Sequence, residues 1–181
     1  MPQTTIRQHW IDTPQGRLFA QCWTPDHASE APVVLMHDSL GCVGLWRDFP
    51  LHLAQHCGRC VIAYDRLGFG RSSPRPGTLS PDFIETEAYE GFACLYRQLG
   101  LDRFVVLGHS VGGCMAVNCA AAWPHACAGV ITESAQAFVD EDIRAGIRAA
   151  EQQFARPGPW QRLHQYHGDK TAQVLRAWID T

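Results

Sequence analysis

The sequence has no marked excess of either charge: 15 Lys and Arg stand against 18 Asp and Glu, a net charge of −3. That balance gives no strong pull toward nucleic acid or an anionic membrane surface. Lysine is nearly absent, Lys170 being the only one, and the arginines are scattered without a basic block. No uninterrupted apolar run approaches the roughly 20 residues that a membrane-crossing helix needs. The N-terminal MPQTTIRQHWIDTPQG lacks the charged-then-apolar order and small-residue cleavage site of a secretion signal, so the cytoplasm is the default location. Internal repeats and low-complexity segments are also missing.

Cysteine is plentiful, with eight residues, yet a disulfide framework is not expected. Cys22, Cys42, Cys94, Cys114, Cys119 and Cys127 stand singly in apolar or small-residue stretches, where a free thiol behaves as a small buried hydrophobe. A chain of 181 residues with 46% hydrophobic content builds a core without staples. Cys57-Gly58-Arg59-Cys60 has the C-x-x-C form, but at the end of a helix and not at its start. Neither a second C-x-x-C nor a nearby His pair completes a zinc site.

What is present is an alternation. Residues 4–24 read as two strands joined by a turn at Thr13-Pro14-Gln15-Gly16, the second alternating Leu18, Ala20 and Cys22 with polar neighbours. VVLMH (33–37) and CVIAYD (60–65) read as buried strands. Between them, Trp46, Phe49 and Leu53 mark a helix that Gly58 ends. Ser80-Pro81-Asp82 starts a helix whose inner face runs through Ile84, Ala88, Gly91, Leu95 and Leu99 to Gly100. Strands follow at 103–107 and 128–132, around a helix at 111–122 that is expected to be buried nearly all round. This order implies a mostly parallel sheet, helices on both faces and right-handed crossovers. From 136 to 181 the pattern is helical only, over 139–155, around Trp160 and Leu163, and after Asp169 as cap. Two units are expected: a core over 1–135 and a helical lid over 136–181.

Gly108-His109-Ser110-Val111-Gly112 fits G-x-S-x-G, follows a buried strand and opens a helix. That context makes Ser110 a candidate nucleophile on a sharp turn, which Gly108 and Gly112 allow. The helix N-terminus behind it favours developing negative charge. His37-Asp38-Ser39-Leu40-Gly41 follows an earlier strand, at a place where acyl-transfer enzymes of this layout supply an oxyanion amide.

With these motifs the chain resembles the α/β-hydrolase superfamily, of the lid-bearing, serine-nucleophile type. The resemblance runs through the hairpin, the His37 loop, Tyr64-Asp65-Arg66-Leu67-Gly68-Phe69-Gly70-Arg71-Ser72, the elbow and the helical segment. It implies Ser110 as nucleophile and Val111 and Ser39 as oxyanion amides, Ser39 being preferred over Leu40. The Asp65–Ser72 loop is similar to the family's D-x-R-G-x-G-x-S loop with Leu67 inserted, and is read as structural. Asp38 stands where the family has Gly. It is expected to turn away and accept loop N–H bonds; the other reading is contact with a substrate polar group or a proton-transferring water.

In this superfamily an acid and then a His follow the serine. No strand–Asp unit or late His loop can be read here, so the chain looks C-terminally truncated. Glu133 is a candidate acid; otherwise it caps the loop Glu133-Ser134-Ala135-Gln136. His109 is expected to point away from the serine and to be packed. His37 fixes its loop, His125 lies at the wrong end of the sheet, and His164 and His167 lie on a lid helix. The resemblance implies a serine hydrolase for an ester, lactone, thioester or amide, without metal or organic cofactor, and with little turnover in this chain. Acyl transfer to another acceptor, C–C bond hydrolysis and cofactor-free peroxide chemistry use the same elbow. A non-catalytic ligand-binding protein and a half-domain completed by a partner are the alternatives. The partner expected is a small-molecule substrate, with self-association through the exposed edge at 128–132.

Overall fold

The computed structural model describes residues 3–28, 30–135, 138 and 141–180. Six strands form one sheet: β1 (Thr4–Thr13), β2 (Gly16–Pro25), β3 (Val33–Met36), β4 (Val61–Tyr64), β5 (Phe104–His109) and β6 (Cys127–Glu133). Their order is β1-β2-β4-β3-β5-β6. The β1–β2 hairpin is antiparallel and β2 joins β4 antiparallel, whereas β4, β3, β5 and β6 run parallel. The expected α/β fold, a mostly parallel sheet with an N-terminal antiparallel hairpin and helices on both faces, is the observed one.

The helices are α1 (Phe49–Cys57), α2 (Phe83–Thr86), α3 (Gly91–Gln98), α4 (Val111–Ala122), α5 (Glu141–Phe154), α6 (Pro157–His167) and α7 (Thr171–Ile179). Every residue of β3 and β4 is buried, and successive side chains go to opposite faces. On one face Val34, Met36, Ile62, Tyr64 and Val106 pack with Phe92 and Leu95 of α3 and Met115 of α4. On the other, Val33, Leu35, Val61, Ala63 and Leu107 pack with Ala54 of α1, Phe19 and Trp23. Gly58 ends α1 in the left-handed region at φ 62°, where a glycine carries no Cβ penalty.

Three sequence expectations change. The single helix expected after Ser80 is two, because the chain turns inward at Glu87. That carboxylate is buried, and Tyr64 Oη donates a 2.7 Å hydrogen bond to it. The interaction crosses 23 residues, and helical periodicity does not show it. The α4 helix is buried on one side only. Val117 is 52% exposed and, with Ala121 four residues on, forms an outer stripe. Asp169 is not the cap of α7: it lies in a 3₁₀ turn, Gly168–Lys170, and Lys170 holds the cap position. Pro157 ends α5 and occupies the first turn of α6, where its missing N–H is harmless.

Residues 136, 137, 139 and 140 hold the expected core–lid boundary and the expected first residues of α5, and they lie outside the described residues. Beyond them, α5, α6 and α7 pack on one another. Strand β6 ends the sheet and is largely exposed, with Val130 at 41% and Ile131 at 49%.

Candidate active site

Ser110 sits between β5 and α4 at φ 53°, ψ −124°. A non-glycine residue in that region is strained by about 1–3 kcal/mol, and such strain persists only where the surroundings over-determine it. They do so here. The Ser110 N–H donates to the Glu133 carbonyl at 2.8 Å, and the Ser110 carbonyl accepts the Gly113 N–H at 2.8 Å. A Cβ on Gly108 would overlap the Gly112 carbonyl, and one on Gly112 would overlap the Met36 carbonyl. Only glycine lets strand, turn and helix approach this closely.

The His37 loop beside it is rigidly held. His37 is buried, its Nδ1 donating to the Asp38 carbonyl at 2.8 Å and its Nε2 accepting the Arg66 backbone N–H at 3.2 Å. Burial, and then the Arg66 charge, keep its pKa well below the usual histidine range. Arg66 Nη2 also donates to the Asp38 carbonyl at 2.9 Å, and its guanidinium lies 4.3 Å from the Phe69 ring centre. Asp38 Oδ1 accepts the Leu40 N–H at 2.9 Å, the turn expected of an Asp at this position.

The Asp65–Ser72 loop is a scaffold. Asp65 accepts the Val43 N–H at 2.6 Å and the Arg71 N–H at 2.7 Å. Burial nonetheless pushes its pKa up to about 6, since the carboxylate has lost its water. The inserted Leu67 is buried in the core. Gly70, at φ 45°, leaves room for the Asp65 carboxylate and donates its N–H to His167 Nδ1 at 2.8 Å.

His167 carries a role that the sequence hides. It is buried, and its Nε2 donates to the Leu40 carbonyl at 3.0 Å. One α6 imidazole thus ties the Asp65–Ser72 loop to the His37 loop. Burial lowers its pKa. The H-x-x-H spacing with exposed His164 gave no hint of this, because both tethers lie about 100 residues or more away.

His109 turns its ring nitrogens to carboxylates and not to Ser110, as expected, but it is not packed. Its Nε2 lies 3.0 Å from Glu133 Oε2 and its Nδ1 3.5 Å from Asp38 Oδ2, with 38% of its side chain exposed. The reason is register: His109 pairs with Glu133 across β5 and β6, which places both side chains on one face at the sheet's end. Glu133 also accepts Ser134 Oγ at 2.7 Å. Its carboxylate therefore meets a histidine, but one whose second nitrogen faces Asp38 and not Ser110.

Ser110 separates two hollows. One, of about 580 Å³, is lined by Asp38, Arg47, His109, Arg162 and Tyr166 among others. The second, of about 540 Å³, is lined by Val111 and by apolar residues of the segment 79–84 and of α5. Ser39, Ser110 and Trp178 line both. The residues expected as nucleophile and oxyanion amides, Ser110, Ser39 and Val111, thus meet around one cavity. Glu133 meets His109, which lines the other hollow. Among the described residues no group of three or more His, Cys, Asp or Glu could hold a metal, and all eight cysteines are free thiols. No helix among them is long and apolar enough to cross a membrane.

Known proteins resemble this chain in sequence and in fold. The human 1-acylglycerol-3-phosphate O-acyltransferase is 35% identical over 98 residues, 54% of this chain and 27% of that protein. The human (lyso)-N-acylphosphatidylethanolamine lipase is 29% identical over 124 residues, 67% of this chain and 35% of that protein. The chain thus spans about a quarter to a third of the length of these relatives. A thermophilic esterase from Thermogutta terrifontis superposes with a TM-score of 0.67 at 22% identity, over 96% of this chain and 71% of that one. Est816, an N-acyl homoserine lactone degrading enzyme, does so with a TM-score of 0.67 at 20% identity, over 93% and 70%. At these identities the two structures show the fold alone. The family model of the alpha/beta hydrolase fold matches residues 31–175, and with the strained Ser110 turn at its centre this chain belongs to the α/β-hydrolase family.

Proposed function

We propose that the protein is built as a serine hydrolase, cleaving an ester, lactone, thioester or amide through an acyl-Ser110 intermediate. The observation that carries this reading is the Ser110 backbone at φ 53°, locked between two glycines that tolerate no side chain. In the proposed reaction Ser110 Oγ attacks the carbonyl, the leaving alcohol or amine departs, and water releases the acyl group. The N–H groups of Ser39 and Val111 receive the oxyanion. Leu40 is the poorer donor because its N–H is engaged by Asp38. The helices α5–α7 act as lid over the cavity. The relatives named as a lipase and an acyltransferase, and the esterase fold neighbours, support acyl chemistry.

A second reading has its own observation. His37, His56, His109 and His167 bond to Asp38, His52, the Asp38 and Glu133 carboxylates, and Gly70 and Leu40, respectively. None of these bonds reaches the Ser110 hydroxyl, and a base must do so directly or through one water. Low turnover is therefore expected of this chain, and a ligand-binding protein on this fold would look the same. Labelling with a fluorophosphonate, with and without added imidazole as base, tests the first reading. The expected adduct maps to Ser110 by peptide mass spectrometry and is lost in Ser110→Ala. Absence of an adduct even with imidazole favours the second. Ester turnover by the chain alone, abolished by Ser110→Ala, would refute the expectation of low activity.

A further inference from the structure

Two of the free cysteines touch across the sheet, away from the candidate site. In the antiparallel β2–β4 pairing Cys22 stands opposite Ile62 and Trp23 opposite Val61. The next step of that register sets Cys60 opposite Thr24, which puts Cys22 and Cys60 on one face as diagonal neighbours. The side chains follow the register. Thr24 Oγ1 lies 3.4 Å from Cys60 Sγ, and the Cys22 thiol is hydrogen-bonded to the same sulfur. An O–H and an S–H able to donate to one sulfur stabilise a thiolate there. Depth decides which thiol carries the charge. Cys22 is 8% exposed, whereas Cys60 is half-buried beside exposed Thr24. The Cys22 and Thr24 hydrogen bonds hold the Cys60 pKa below the ordinary thiol range, against the pull of burial. The shared bond, and then burial, push that of Cys22 up. Cys57, at the end of α1, is fully accessible by comparison.

We infer that Cys60 and Cys22 form a dithiol that a hydroperoxide oxidises to an intrachain disulfide, Cys60 attacking the peroxide and Cys22 resolving the product. The Cys60 thiolate attacks the terminal peroxide oxygen and the O–O bond breaks. Cys60 becomes a sulfenic acid, and the other oxygen leaves as an alcohol or water with the proton that Cys60 had released. The Cys22 sulfur then attacks the Cys60 sulfur, the S–O bond breaks, and water leaves with the Cys22 proton. Two thiols are oxidised and one peroxide is reduced, so the electrons balance. Of the C-x-x-C motif only Cys60 takes part, because its donors come from β2 and not from Cys57. The disulfide ties β2 to the start of β4, at the end of the parallel strands away from Ser110. It is therefore independent of the acyl chemistry proposed there.

The reduced chain is treated with limiting hydrogen peroxide, blocked with N-ethylmaleimide and digested without reductant for peptide mass spectrometry. The Cys22 and Cys60 peptides are expected to be joined, with the loss of two hydrogens. Cys22→Ser keeps a donor for Cys60 but removes the resolving sulfur, so Cys60 should accumulate as a sulfenic acid that dimedone traps. Cys22→Ala serves the same purpose if the buried hydroxyl is not tolerated, and melting curves check that each variant is folded. Alkylation by iodoacetamide separates activation from access. Cys60 is expected to react several-fold faster than the more exposed Cys57 at neutral pH, since the thiolate and not the thiol reacts. Thr24→Val should slow Cys60, and Cys57→Ser should leave both its rate and the linkage unchanged. A Cys57–Cys60 or interchain disulfide as the main product, a Cys60 rate no higher than that of Cys57, or no oxidation of Cys60 would overturn the inference.

Discussion

Gly112 and His167 show how single residues hold the elbow and the loops around it. An alanine at 112 would drive its Cβ into the Met36 carbonyl, part of the backbone of β3, and backbone does not yield as a side-chain tip does. Gly112→Ala is expected to destabilise the fold by about 3 kcal/mol, the upper part of the overpacking range. Chemical denaturation measures this. His167 links stability to pH. Its folded pKa is lowered by burial, so the unfolded chain takes up a proton that the folded chain refuses. Its contribution is therefore complete above about pH 6.5 and falls away as the pH drops below that value. His167→Gln should cost roughly 1–3 kcal/mol at pH 8, through two lost buried hydrogen bonds, and the gap to the parent should narrow toward pH 5. A gap independent of pH would sink the assignment. Asp65 acts the other way. Its pKa is pushed up to about 6 by burial, so its contribution is complete below about pH 4 and is lost as the pH rises through 6.

At the scale of elements, periodicity located the helices but not the break between α2 and α3. The apolar spacing Ile84, Ala88, Leu95 runs on as if nothing intervened. The turn at Glu87 exists because a buried carboxylate finds the Tyr64 hydroxyl and the Arg66 charge, both distant in the chain. Tyr64→Phe should leave Glu87 buried with one bond fewer, at about 1–3 kcal/mol. Glu87→Gln keeps an acceptor for that hydroxyl and should cost less. A smaller loss in Tyr64→Phe than in Glu87→Gln, in thermal or denaturant unfolding, would contradict this account. The β-hairpin, β3 to β6 and α4 were legible because each is set by local pattern: alternation for a half-buried strand, unbroken apolar runs for covered ones, small residues for the helix behind the serine. The cap of α7 was misread because Asp169 went into a 3₁₀ turn closed by the Thr171 hydroxyl on the Gly168 carbonyl.

At the scale of the molecule, the sheet ends on β6, with Val130 and Ile131 about half exposed and Val117 of α4 likewise. An apolar edge strand with open N–H and C=O groups pairs with other chains. The 181-residue chain on its own is expected to self-associate, as sedimentation velocity across a concentration series would show. Ile131→Lys, which places a charge on that edge, should raise the monomer fraction. A monodisperse monomer with a single cooperative melt at high concentration would count against this.

The sequence alone determined the alternation of strands and helices and the placing of Ser110 on its strand–helix turn, because each depends on residues within a few positions of one another. The Gly108–Gly112 spacing already implies a turn too tight for side chains. Tertiary structure decided the rest. It turned His109 toward Glu133 and Asp38 through strand register and made His167 a tether between two loops. Those relations join positions from 24 to about 130 residues apart, and no local pattern of hydrophobicity or spacing encodes which distant groups a packed chain brings together.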